Sequence, residues 1–330
     1  MTIIVTGAAG FIGFHTAQAI CRKGEKVIGI DNLNDYYDIK LKRARLAQLE
    51  KYKKKGQFEL HEADIADYGA IEQIALSNKN EITHIVHLAA QAGVRYSLQN
   101  PFAYAKSNLL GHLVILEIAR KLPKLEHLVY ASSSSVYGGS TKLPFGTNQN
   151  VDSPISLYAA TKKSDELMSY SYSHLYGIPM TGLRFFTVYG PWGRPDMAYF
   201  IFTKSIIEGK TIDVYGKGEL KRDFTFVDDV VDGILRVIGT IPKGKKGGAK
   251  HAIYNLGNNK TETVNDMLAI LENAIGKEAK KKFLPIQPGD MAETYADISE
   301  SRKNFGFNPK TRIKDGLPRF VEWYKEYYKI

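Results

Sequence analysis

The sequence predicts a doubly wound α/β fold, in which helices cover both faces of a parallel sheet, with a smaller mixed α/β lobe toward the C-terminus. Three observations predict it. Short apolar, β-branched segments alternate with amphipathic helical segments, glycines cluster where the first strand meets the first helix, and Gly and Pro become more frequent after Pro191. A length of 330 residues allows one large or two moderate domains.

The first thirteen residues predict a strand, a glycine turn and the start of a helix. Residues 3–5 form an apolar β-branched run, and apolar residues continue at helical spacing from Phe11 to Ile20. The glycines between and after them are three residues apart: Gly7, Gly10 and Gly13. Glycines at such a turn let the backbone bend sharply and let a pyrophosphate approach the amides at the positive N-terminus of the helix.

The second predicted strand, Lys26–Ile30, is followed at once by Asp31. An acidic side chain at this place accepts hydrogen bonds from the adenine-ribose hydroxyls and repels a 2′-phosphate, so it favours NAD over NADP. Glycines alone would be weak evidence, because matches arise by chance. The strand, the turn and the acid together predict a dinucleotide site.

The following strands and helices alternate along the chain. Further strands are predicted at Phe58–Ile65, His84–Ala90, Leu125–Ser133 and Thr181–Phe186. Helices are predicted at Leu41–Tyr52, Ala70–Ala75, Asn108–Lys121 and Pro154–Leu175. Strands that alternate with helices at this spacing form a parallel sheet with both faces covered. Such a Rossmann sheet binds ligands outside the C-terminal ends of its strands, so we expect one site there.

The C-terminal half is predicted to alternate between the main sheet and a second lobe. A strand followed by a helix is predicted at Phe226–Ile238, a short strand at Tyr254–Leu256 and a helix at Val264–Ile275. We expect residues 1–188 and about 226–258 to form the NAD-binding domain. The remainder, about 189–225 and 259–330, is expected to form the substrate lobe.

The composition is that of a globular enzyme with a basic surface, since 44% of the residues are hydrophobic, 24% are charged and the net charge is +10. Much of the positive charge lies in three lysine-rich stretches: Lys51–Lys55, Lys243–Lys250 and Lys277–Lys282. They lack the interleaved aromatic residues of a strand-binding surface, so we interpret them as solvated surface and expect no nucleic-acid partner. A positive field would still help to collect an anionic nucleotide.

The single cysteine, Cys21, cannot form an intramolecular disulfide, and its place on the apolar side of the first helix predicts buried packing. This usage fits a reducing cytoplasm. The sequence has no run of about 20 apolar residues and no signal-peptide pattern before the first strand. We therefore expect a cytoplasmic protein with no membrane partner and no metal.

The predicted helix Pro154–Leu175 carries Tyr158 and Lys162 four residues apart, on one face, and serines at residues 132–135 end the neighbouring strand. Tyrosine titrates near 10, but an adjacent ammonium and the positive nicotinamide ring favour the phenolate, so Tyr158 could act as a general base. The pair is a weak signal alone in a chain with 20 tyrosines. After a dinucleotide turn and a serine-rich strand end, it predicts hydride transfer between a carbinol and NAD.

The chain resembles the extended short-chain dehydrogenase/reductase family and, within it, the nucleotide-sugar epimerases, especially the UDP-glucuronate 4-epimerases. The resemblance runs over nearly the whole chain. Its carriers are Thr6–Gly13 (TGAAGFIG), His87–Ser97 (HLAAQAGVRYS), Tyr130–Gly138 (YASSSSVYG), Tyr158–Lys163 (YAATKK), Leu183–Met197 (LRFFTVYGPWGRPDM) and Arg222–Asp229 (RDFTFVDD).

The glycine turn and the resemblance together assign expected site residues. The resemblance implies Ser133, Tyr158 and Lys162 as the catalytic residues. Expected cofactor contacts are Gly7, Gly10, Phe11, Ile12, Gly13, Asp31, Asn32, Asp64, Ile65, Leu88, Ala89, Ala90, Gln91, Asn108, Ser132, Tyr158, Lys162 and Phe186. Expected substrate contacts are Arg95, Ser133, Ser134, Tyr158, Thr187, Arg194, Val214, Arg222 and Asp290. Among them, Arg222 and Asp290 would hold the diphosphate and the uridine ribose.

Thr187 and Arg194 indicate the class of sugar. Relatives that use neutral hexoses usually carry Asn at the place of Thr187 and lack an arginine equivalent to Arg194. A hydroxyl and a guanidinium seven residues apart, on either side of a turn, suit a sugar carboxylate. The alternative interpretation is a surface arginine beside two prolines.

The resemblance implies NAD-dependent epimerisation at C4 of a UDP-hexuronic acid, UDP-glucuronate to UDP-galacturonate, through a transient 4-keto intermediate. Alternatives are a UDP-glucose/UDP-galactose 4-epimerase, a UDP-glucuronate decarboxylase and, in a different class, a non-catalytic NAD-binding scaffold. Dehydration is disfavoured because Ser134 and Ser135 stand where the dehydratase branch carries an acidic pair.

The resemblance also implies a homodimer. Its interface would form from the predicted helices Asn108–Lys121 and Pro154–Leu175, packed with their copies into a four-helix arrangement. The alternative for both amphipathic helices is burial against the parent sheet.

Overall fold

Seven parallel strands form the central sheet of this computed structural model, which describes residues 1–244, 248–286 and 291–330. The strands, numbered in chain order, are β1 (Thr2–Thr6), β2 (Lys26–Asp31), β3 (Phe58–Glu62), β4 (Ile82–His87), β5 (His127–Ser133), β6 (Met180–Phe185), β7 (Thr187–Tyr189), β8 (Thr211–Tyr215), β9 (Lys221–Arg222), β10 (Phe224–Phe226), β11 (His251–Leu256), β12 (Glu262–Thr263) and β13 (Lys280–Leu284).

The helices pack on both faces of this sheet and in the C-terminal lobe. They are α1 (Phe11–Arg22), α2 (Ile39–Ala47), α3 (Glu50–Lys53), α4 (Tyr68–Ser77), α5 (Tyr96–Gln99), α6 (Pro101–Tyr104), α7 (Gly111–Ala119), α8 (Leu157–Tyr176), α9 (Ala198–Glu208), α10 (Val227–Ile238), α11 (Val264–Ile275), α12 (Ser299–Phe305) and α13 (Ile313–Tyr328). A π-helical segment, Ala105–Leu110, joins α6 to α7, and 3₁₀ turns span Ser134–Tyr137 and Gly216–Gly218.

The central sheet has the strand order β11-β6-β5-β4-β1-β2-β3, and each neighbouring pair is parallel. The winding direction reverses at β1, which pairs with β2 on one side and β4 on the other. Open α/β sheets bind ligands in the crevice at such a switch point, outside the C-terminal ends of the strands. The prediction of a doubly wound parallel sheet is confirmed.

Both faces of the sheet are covered, which explains why the interior strand β1 carries three consecutive apolar residues, Ile3, Ile4 and Val5. All five residues of β1 are buried. Ile3 and Val5 belong to one apolar cluster with residues of α1 and α10, whereas Ile4 belongs to a second cluster with residues of α4 and α7. Neighbouring residues of β1 therefore serve opposite faces, as the pleat of a strand requires.

The C-terminal lobe is mixed, as predicted. Among the described residues, β7–β10 and β8–β13 pair in parallel and β9–β12 pair antiparallel. The lobe has its own buried cluster, in which aromatic side chains of α9 pack against those of α13, including Phe200, Phe320 and Trp323. The chain returns to the main sheet at β11, which pairs with β6, and α10 packs against α1.

Some predicted boundaries were wrong. The helix predicted to start at Asn108 begins at Pro101, because the Asn100 side chain caps the Ala103 amide at 3.2 Å and proline suits the first helical position. The helix predicted over 41–52 is two helices, α2 and α3. The predicted helix Val264–Ile275 has those bounds in the structure.

Cys21 packs in the core as predicted, with its Sγ 3.4 Å from the Gln57 carbonyl oxygen, and burial raises its pKa to about 12. Two predictions concern residues outside the described ranges: the role of Asp290, and Lys245 and Lys246 of one lysine-rich stretch. Across the described ranges, no helix combines the length and apolar character needed to cross a lipid bilayer.

Candidate active site

The glycine turn brings the N-terminus of α1 against the C-terminal ends of β1 and β4. Gly7 has a positive φ of 71°, and a Cβ there would lie 2.9 Å from the Ala89 nitrogen. A Cβ on Gly13 would lie 1.9 Å from the Gly7 carbonyl oxygen, so a side chain at that position would force the helix away from the strand. Gly10, the N-cap residue of α1, has no side chain to cover the first amides of the helix. The turn forms a cradle of the size and polarity that suits a diphosphate.

Asp31 ends β2 beside this cradle. Its carboxylate accepts hydrogen bonds from the Ala9 amide at 3.0 Å and from the Leu33 amide at 2.9 Å. The buried Lys42 side chain lines the same cleft and donates to the Asn34 side chain at 2.8 Å. Burial lowers the pKa of Lys42, and the nearby Asp31 partly opposes this effect. Sequence reasoning missed Lys42, which comes close to Asp31 only because α2 folds back over the strand end.

Asn108 lies behind the cleft wall and fixes the backbone after β4. Its side chain accepts from the Gln91 amide at 2.8 Å and donates to the Gln91 carbonyl at 3.1 Å and to the Thr161 hydroxyl at 2.9 Å. Within the described residues it lies outside the cleft lining, although it was predicted to contact the cofactor. All three of its hydrogen bonds go to the Gln91 backbone and to Thr161, so the side chain is engaged behind the loop that lines the cleft.

The end of β5 and the start of α8 bring Ser133, Tyr158 and Lys162 to one cleft. The Lys162 side chain is 3% exposed, and its ammonium donates to the Ala131 carbonyl and to the Asp165 carboxylate, each at 3.0 Å. An ammonium has three N–H donors, so these bonds leave one for the cleft. The Ser133 hydroxyl oxygen accepts from the Ser135 amide at 3.1 Å, which keeps its own proton available to donate.

Two adjacent buried acids on α8 are each paired with a cation. Asp165 pairs with Lys162, while Glu166 accepts two hydrogen bonds from Arg184, each at 2.8 Å, and one from the Ser132 hydroxyl at 2.6 Å. Burial raises the pKa of Asp165 to about 6, and Lys162 opposes the rise. Sequence reasoning missed Asp165, although an acid three residues after a lysine on a helix is a visible signal.

Arg194 lines the same cleft and already holds a carboxylate of its own chain. Its Nε and Nη2 bind the two oxygens of Asp196 at 3.0 and 2.5 Å. The Tyr36 hydroxyl, from the loop after β2, donates to the same carboxylate at 3.2 Å. Asp196 and Tyr36 were not predicted, because no spacing pattern links a loop after β2 to the loop after β7.

Most of the predicted cofactor and catalytic residues lie together. The first cleft is lined by Gly7, Gly10, Phe11, Ile12, Gly13, Asp31, Asn32, Ile65, Leu88, Ala89, Ala90, Gln91, Ser132, Ser133, Tyr158, Lys162, Phe186 and Arg194, and also by the unpredicted Asn34, Tyr36, Tyr37, Lys42 and Met197. Asp64 is outside this lining and pairs with Lys106 at 2.8 Å.

Four predicted substrate residues, Arg95, Ser134, Thr187 and Arg222, line a second cleft. The Arg95 guanidinium lies over the Tyr215 ring, 5.5 Å from its centroid. The structure does not support a contact from Val214: among the described residues it lies in neither cleft lining and is fully buried in the C-terminal lobe. In β8, exposed and buried residues alternate, and the alternation turns Val214 inward.

Known proteins resemble the chain over almost its full length. A family model described as GDP-mannose 4,6 dehydratase matches residues 4–320. UDP-glucuronate 4-epimerase 2 of Arabidopsis thaliana is 45% identical over 339 residues, which cover 100% of this chain and 77% of that protein.

Solved structures share the fold. The crystal structure of UDP-glucuronic acid 4-epimerase from Bacillus cereus, in complex with UDP-glucuronic acid and NAD, has a TM-score of 0.88 and 33% identity, covering 99% of this chain and 100% of that one. UDP-glucose 4-epimerase from Thermotoga maritima, with UDP-glucose, has a TM-score of 0.87 and 29% identity, with 99% and 100% covered. The chain therefore belongs to the family described by the GDP-mannose 4,6 dehydratase model, which lies among the extended short-chain dehydrogenase/reductases together with the nucleotide-sugar epimerases.

Proposed function

We propose that the protein catalyses NAD-dependent epimerisation at C4 of UDP-glucuronate, giving UDP-galacturonate. One observation carries the proposal: Ser133, Tyr158, Lys162 and Arg194 line the same cleft as the glycine turn. Hydride chemistry and a carboxylate-binding cation thus meet in one site. The names of the Arabidopsis and Bacillus relatives, and the UDP-glucuronic acid and NAD in the Bacillus structure, support the same reaction.

The described residues fit NAD. The cradle at Gly7, Gly10 and Gly13 is open only because side chains are absent there, and the buried carboxylate of Asp31 stands at the next strand end. We propose that the cleft-lining cofactor residues predicted from the sequence hold the dinucleotide, with Asn108 fixing the wall behind it. When bound, NAD accepts the hydride from C4 of the sugar and returns it.

The protein's own residues move the proton and hold the sugar. Tyr158 takes the proton of the 4-hydroxyl, and Ser133 donates a hydrogen bond to the same sugar oxygen. Lys162 follows Tyr158 by one helical turn, and its ammonium is held by the Ala131 carbonyl and the Asp165 carboxylate. This positive charge stabilises negative charge on the tyrosine oxygen. After the 4-keto sugar turns over in the site, Tyr158 returns the proton.

The second cleft is proposed to bind the rest of the substrate. Arg95, Ser134 and Arg222 line it, and guanidinium groups suit a diphosphate because they offer a planar fork of donors. Thr187 lines the second cleft and Arg194 lines the first. We propose that these two residues bind the sugar carboxylate from different sides. Asp290 stays a proposed uridine contact outside the described residues.

A C4-oxidised glucuronate is a β-keto acid that readily loses CO₂, so an epimerase must restrain the carboxylate.

Dehydration, the reaction in the family model's description, has no support at the strand end. The residues after Ser133 are Ser134 and Ser135, and neither hydroxyl is suited to move a proton between C5 and C6 as a carboxylate does. Both line the second cleft, which supports the proposed contact between Ser134 and the sugar.

A turnover experiment tests the proposal. Purified holoprotein is mixed with UDP-glucuronate and, in parallel, with UDP-glucose, and the products are identified by chromatography and NMR. UDP-galacturonate from the first and little product from the second is the expected result. A UDP-pentose would indicate a decarboxylase, UDP-galactose a neutral-sugar epimerase, and no product a scaffold; each would contradict the proposal.

Tyr158→Phe should retain UDP-glucuronate binding and lose about 10³-fold in kcat, since it removes the proton acceptor.

We further propose the domain division predicted from the sequence, with residues 1–188 and about 226–258 as the NAD-binding domain and about 189–225 with 259–330 as the substrate lobe. The pairing of β11 with β6 and the separate aromatic cluster around α13 support it. A cytoplasmic location is proposed from the lone, buried thiol of Cys21. We also propose a homodimer, for the reason given in the Discussion.

A further inference from the structure

The arginine proposed to bind the substrate carboxylate is engaged before any substrate arrives. Arg194 and Asp196 form a side-on pair through Nε and Nη2, and their side chains are 22% and 30% exposed. The pair is partly screened by solvent, so its contribution to the stability of the fold is small. Its effect on the direction of the guanidinium is large, because two parallel hydrogen bonds fix the plane and one edge of the group.

The pairing determines which donors Arg194 can offer. A guanidinium has five N–H groups, and the side-on pair with Asp196 uses one on Nε and one on Nη2. One N–H on Nη1 and the second on Nη2 form the end-on edge of the group, which has the fork geometry that binds a carboxylate. Since Arg194 lines the first cleft together with Ser133 and Tyr158, this edge is the part of the group that a sugar carboxylate can bind.

Asp196 is itself held from the cofactor side of the cleft. The Tyr36 hydroxyl donates to its Oδ2 at 3.2 Å, and the Tyr36 ring packs against the Tyr96 ring with centroids 4.8 Å apart. Burial and the Asp196 carboxylate raise the pKa of Tyr36 to about 12, so the hydroxyl keeps its proton at neutral pH and remains a donor. The carboxylate of Asp196 therefore has a defined place between Tyr36 and Arg194.

We propose that Asp196 is a positioning residue for carboxylate recognition: it holds one edge of the Arg194 guanidinium so that the other edge binds the carboxylate of a hexuronate. The inference rests on the proposed function and deepens it. Because Asp196 also offsets much of the arginine's charge, the ligand is held mainly by directed hydrogen bonds. Hydrogen bonds of this kind select a planar carboxylate. They are also weak enough to break when the 4-keto ring turns over within the site.

The test measures binding of UDP-glucuronate and UDP-glucose to the holoprotein by calorimetry, for the wild type and for Asp196→Asn. The amide keeps the shape of the side chain but loses its charge and places an N–H donor against the arginine. We expect the Kd of UDP-glucuronate to rise about tenfold or more and that of UDP-glucose to stay within about twofold. Tyr36→Phe should raise the Kd of UDP-glucuronate by about threefold, because it removes one hydrogen bond to Asp196.

Asp232→Asn is the matched control: Asp232 pairs with Arg236 at 2.6 Å on the exposed face of α10, and the change should leave both Kd values unchanged. An Asp196→Asn protein that binds UDP-glucuronate as tightly as the wild type, or more tightly, would overturn the inference and leave the proposed function intact. A wild type that binds both sugars equally and makes no UDP-galacturonate would overturn the proposed function and this inference with it. Equal unfolding temperatures of the variants and the wild type establish that the fold is kept.

Discussion

Single residues behind the cleft set the charge of the catalytic groups. Lys162 is buried, and its ammonium is tolerated there because the Asp165 carboxylate lies 3.0 Å away. Asp165 is 1% exposed, and its second oxygen, Oδ1, is buried with no hydrogen-bond partner among the described residues. A carboxylate in this position is only partly compensated. It should therefore respond to pH.

The first prediction concerns the pH dependence of stability. The pKa of Asp165 is raised to about 6 in the fold, against a usual value near 3.9, so the fold favours its protonated form. The stability from this group is fully present below its unfolded pKa and is lost as pH rises through about 6. Between pH 5 and pH 7 the wild type should lose about 1 kcal/mol through it, and Asp165→Asn should lack that loss. Urea unfolding of both proteins at the two pH values measures the difference, and parallel pH curves would contradict it.

At the scale of secondary-structure elements, the backbone of helix α1 packs closely against the backbone at the ends of strands β1 and β4. The first turn of α1 can reach the ends of β1 and β4 only where Cβ atoms are missing, as the Gly7 and Gly13 contacts demonstrate. The resulting turn is short, with the Gly10 amide donating to the Gly7 carbonyl at 2.8 Å. The N-terminus of α1 can therefore take this position only because Gly7 and Gly13 have no Cβ atom.

The second prediction tests that dependence with Gly13→Ala. The added methyl would lie 1.9 Å from the Gly7 carbonyl oxygen, so α1 must shift. We expect the free energy of unfolding to fall by about 2 kcal/mol or more, and NAD binding to be lost. Thermal unfolding and calorimetry with added NAD measure the two effects.

Gly69→Ala is the control for this change, because its Cβ would lie 3.6 Å from an Asp67 side-chain oxygen, at ordinary contact distance. It sits at the start of α4, where alanine is the better helix former. Similar stability and NAD affinity for Gly13→Ala and Gly69→Ala would contradict the steric explanation.

At the scale of the whole molecule, one helical surface carries large apolar side chains that the chain itself leaves exposed. It is formed by α5–α7 and α8, and its members are Leu98, Phe102, Leu110, Leu113, Leu167, Tyr170 and Leu175. Phe102 is 83% exposed and Leu98 77%. Contiguous apolar surface of this kind marks an association site. It supports the proposed homodimer, because five of these residues lie in Asn108–Lys121 and Pro154–Leu175, where the sequence analysis expects the interface, although Leu98 and Phe102 lie before them.

The third prediction is that Phe102→Glu yields a monomer. The side chain makes few contacts within its own chain, so the fold should tolerate the change, whereas an interface would have to bury an unpaired carboxylate. Size-exclusion chromatography with light scattering measures the mass. Ile201→Glu, at a 45% exposed position on α9 in the C-terminal lobe, should leave the mass unchanged. A wild type that is itself monomeric, or a dimer that survives Phe102→Glu, would contradict the proposal.

A buried arginine connects the glycine turn with the loop that carries Arg194, on two sides of the active-site cleft. Arg45 of α2 is fully buried and donates to the Ala9 carbonyl of the glycine turn at 2.9 Å and to the Trp192 and Gly193 carbonyls at 2.6 and 3.1 Å. It thus connects the cradle to the loop that carries Arg194. This link was not predicted, because no spacing pattern connects Arg45 to the loop at residues 192–193.

The sequence by itself determined what depends on neighbours along the chain. The strand, the glycine turn and Asp31 follow one another within 31 residues, and Tyr158 and Lys162 share a helix face because their spacing matches one helical turn. Alternation of strands and helices was enough to predict the parallel sheet, and hence the edge at which these groups meet. Each of these inferences needs only local geometry and one topological rule.

Tertiary structure decided what depends on long-range packing. Asp196 accepts a hydrogen bond from Tyr36 across 160 residues of sequence, Asn108 binds the backbone of Gln91, and Val214 is buried in the core of its lobe. Such contacts form only when loops from different elements dock, and the direction of each side chain is set by packing that leaves no periodic trace in the sequence. The residue types available to the site could therefore be predicted, whereas the partners that orient them could be assigned only from the folded chain.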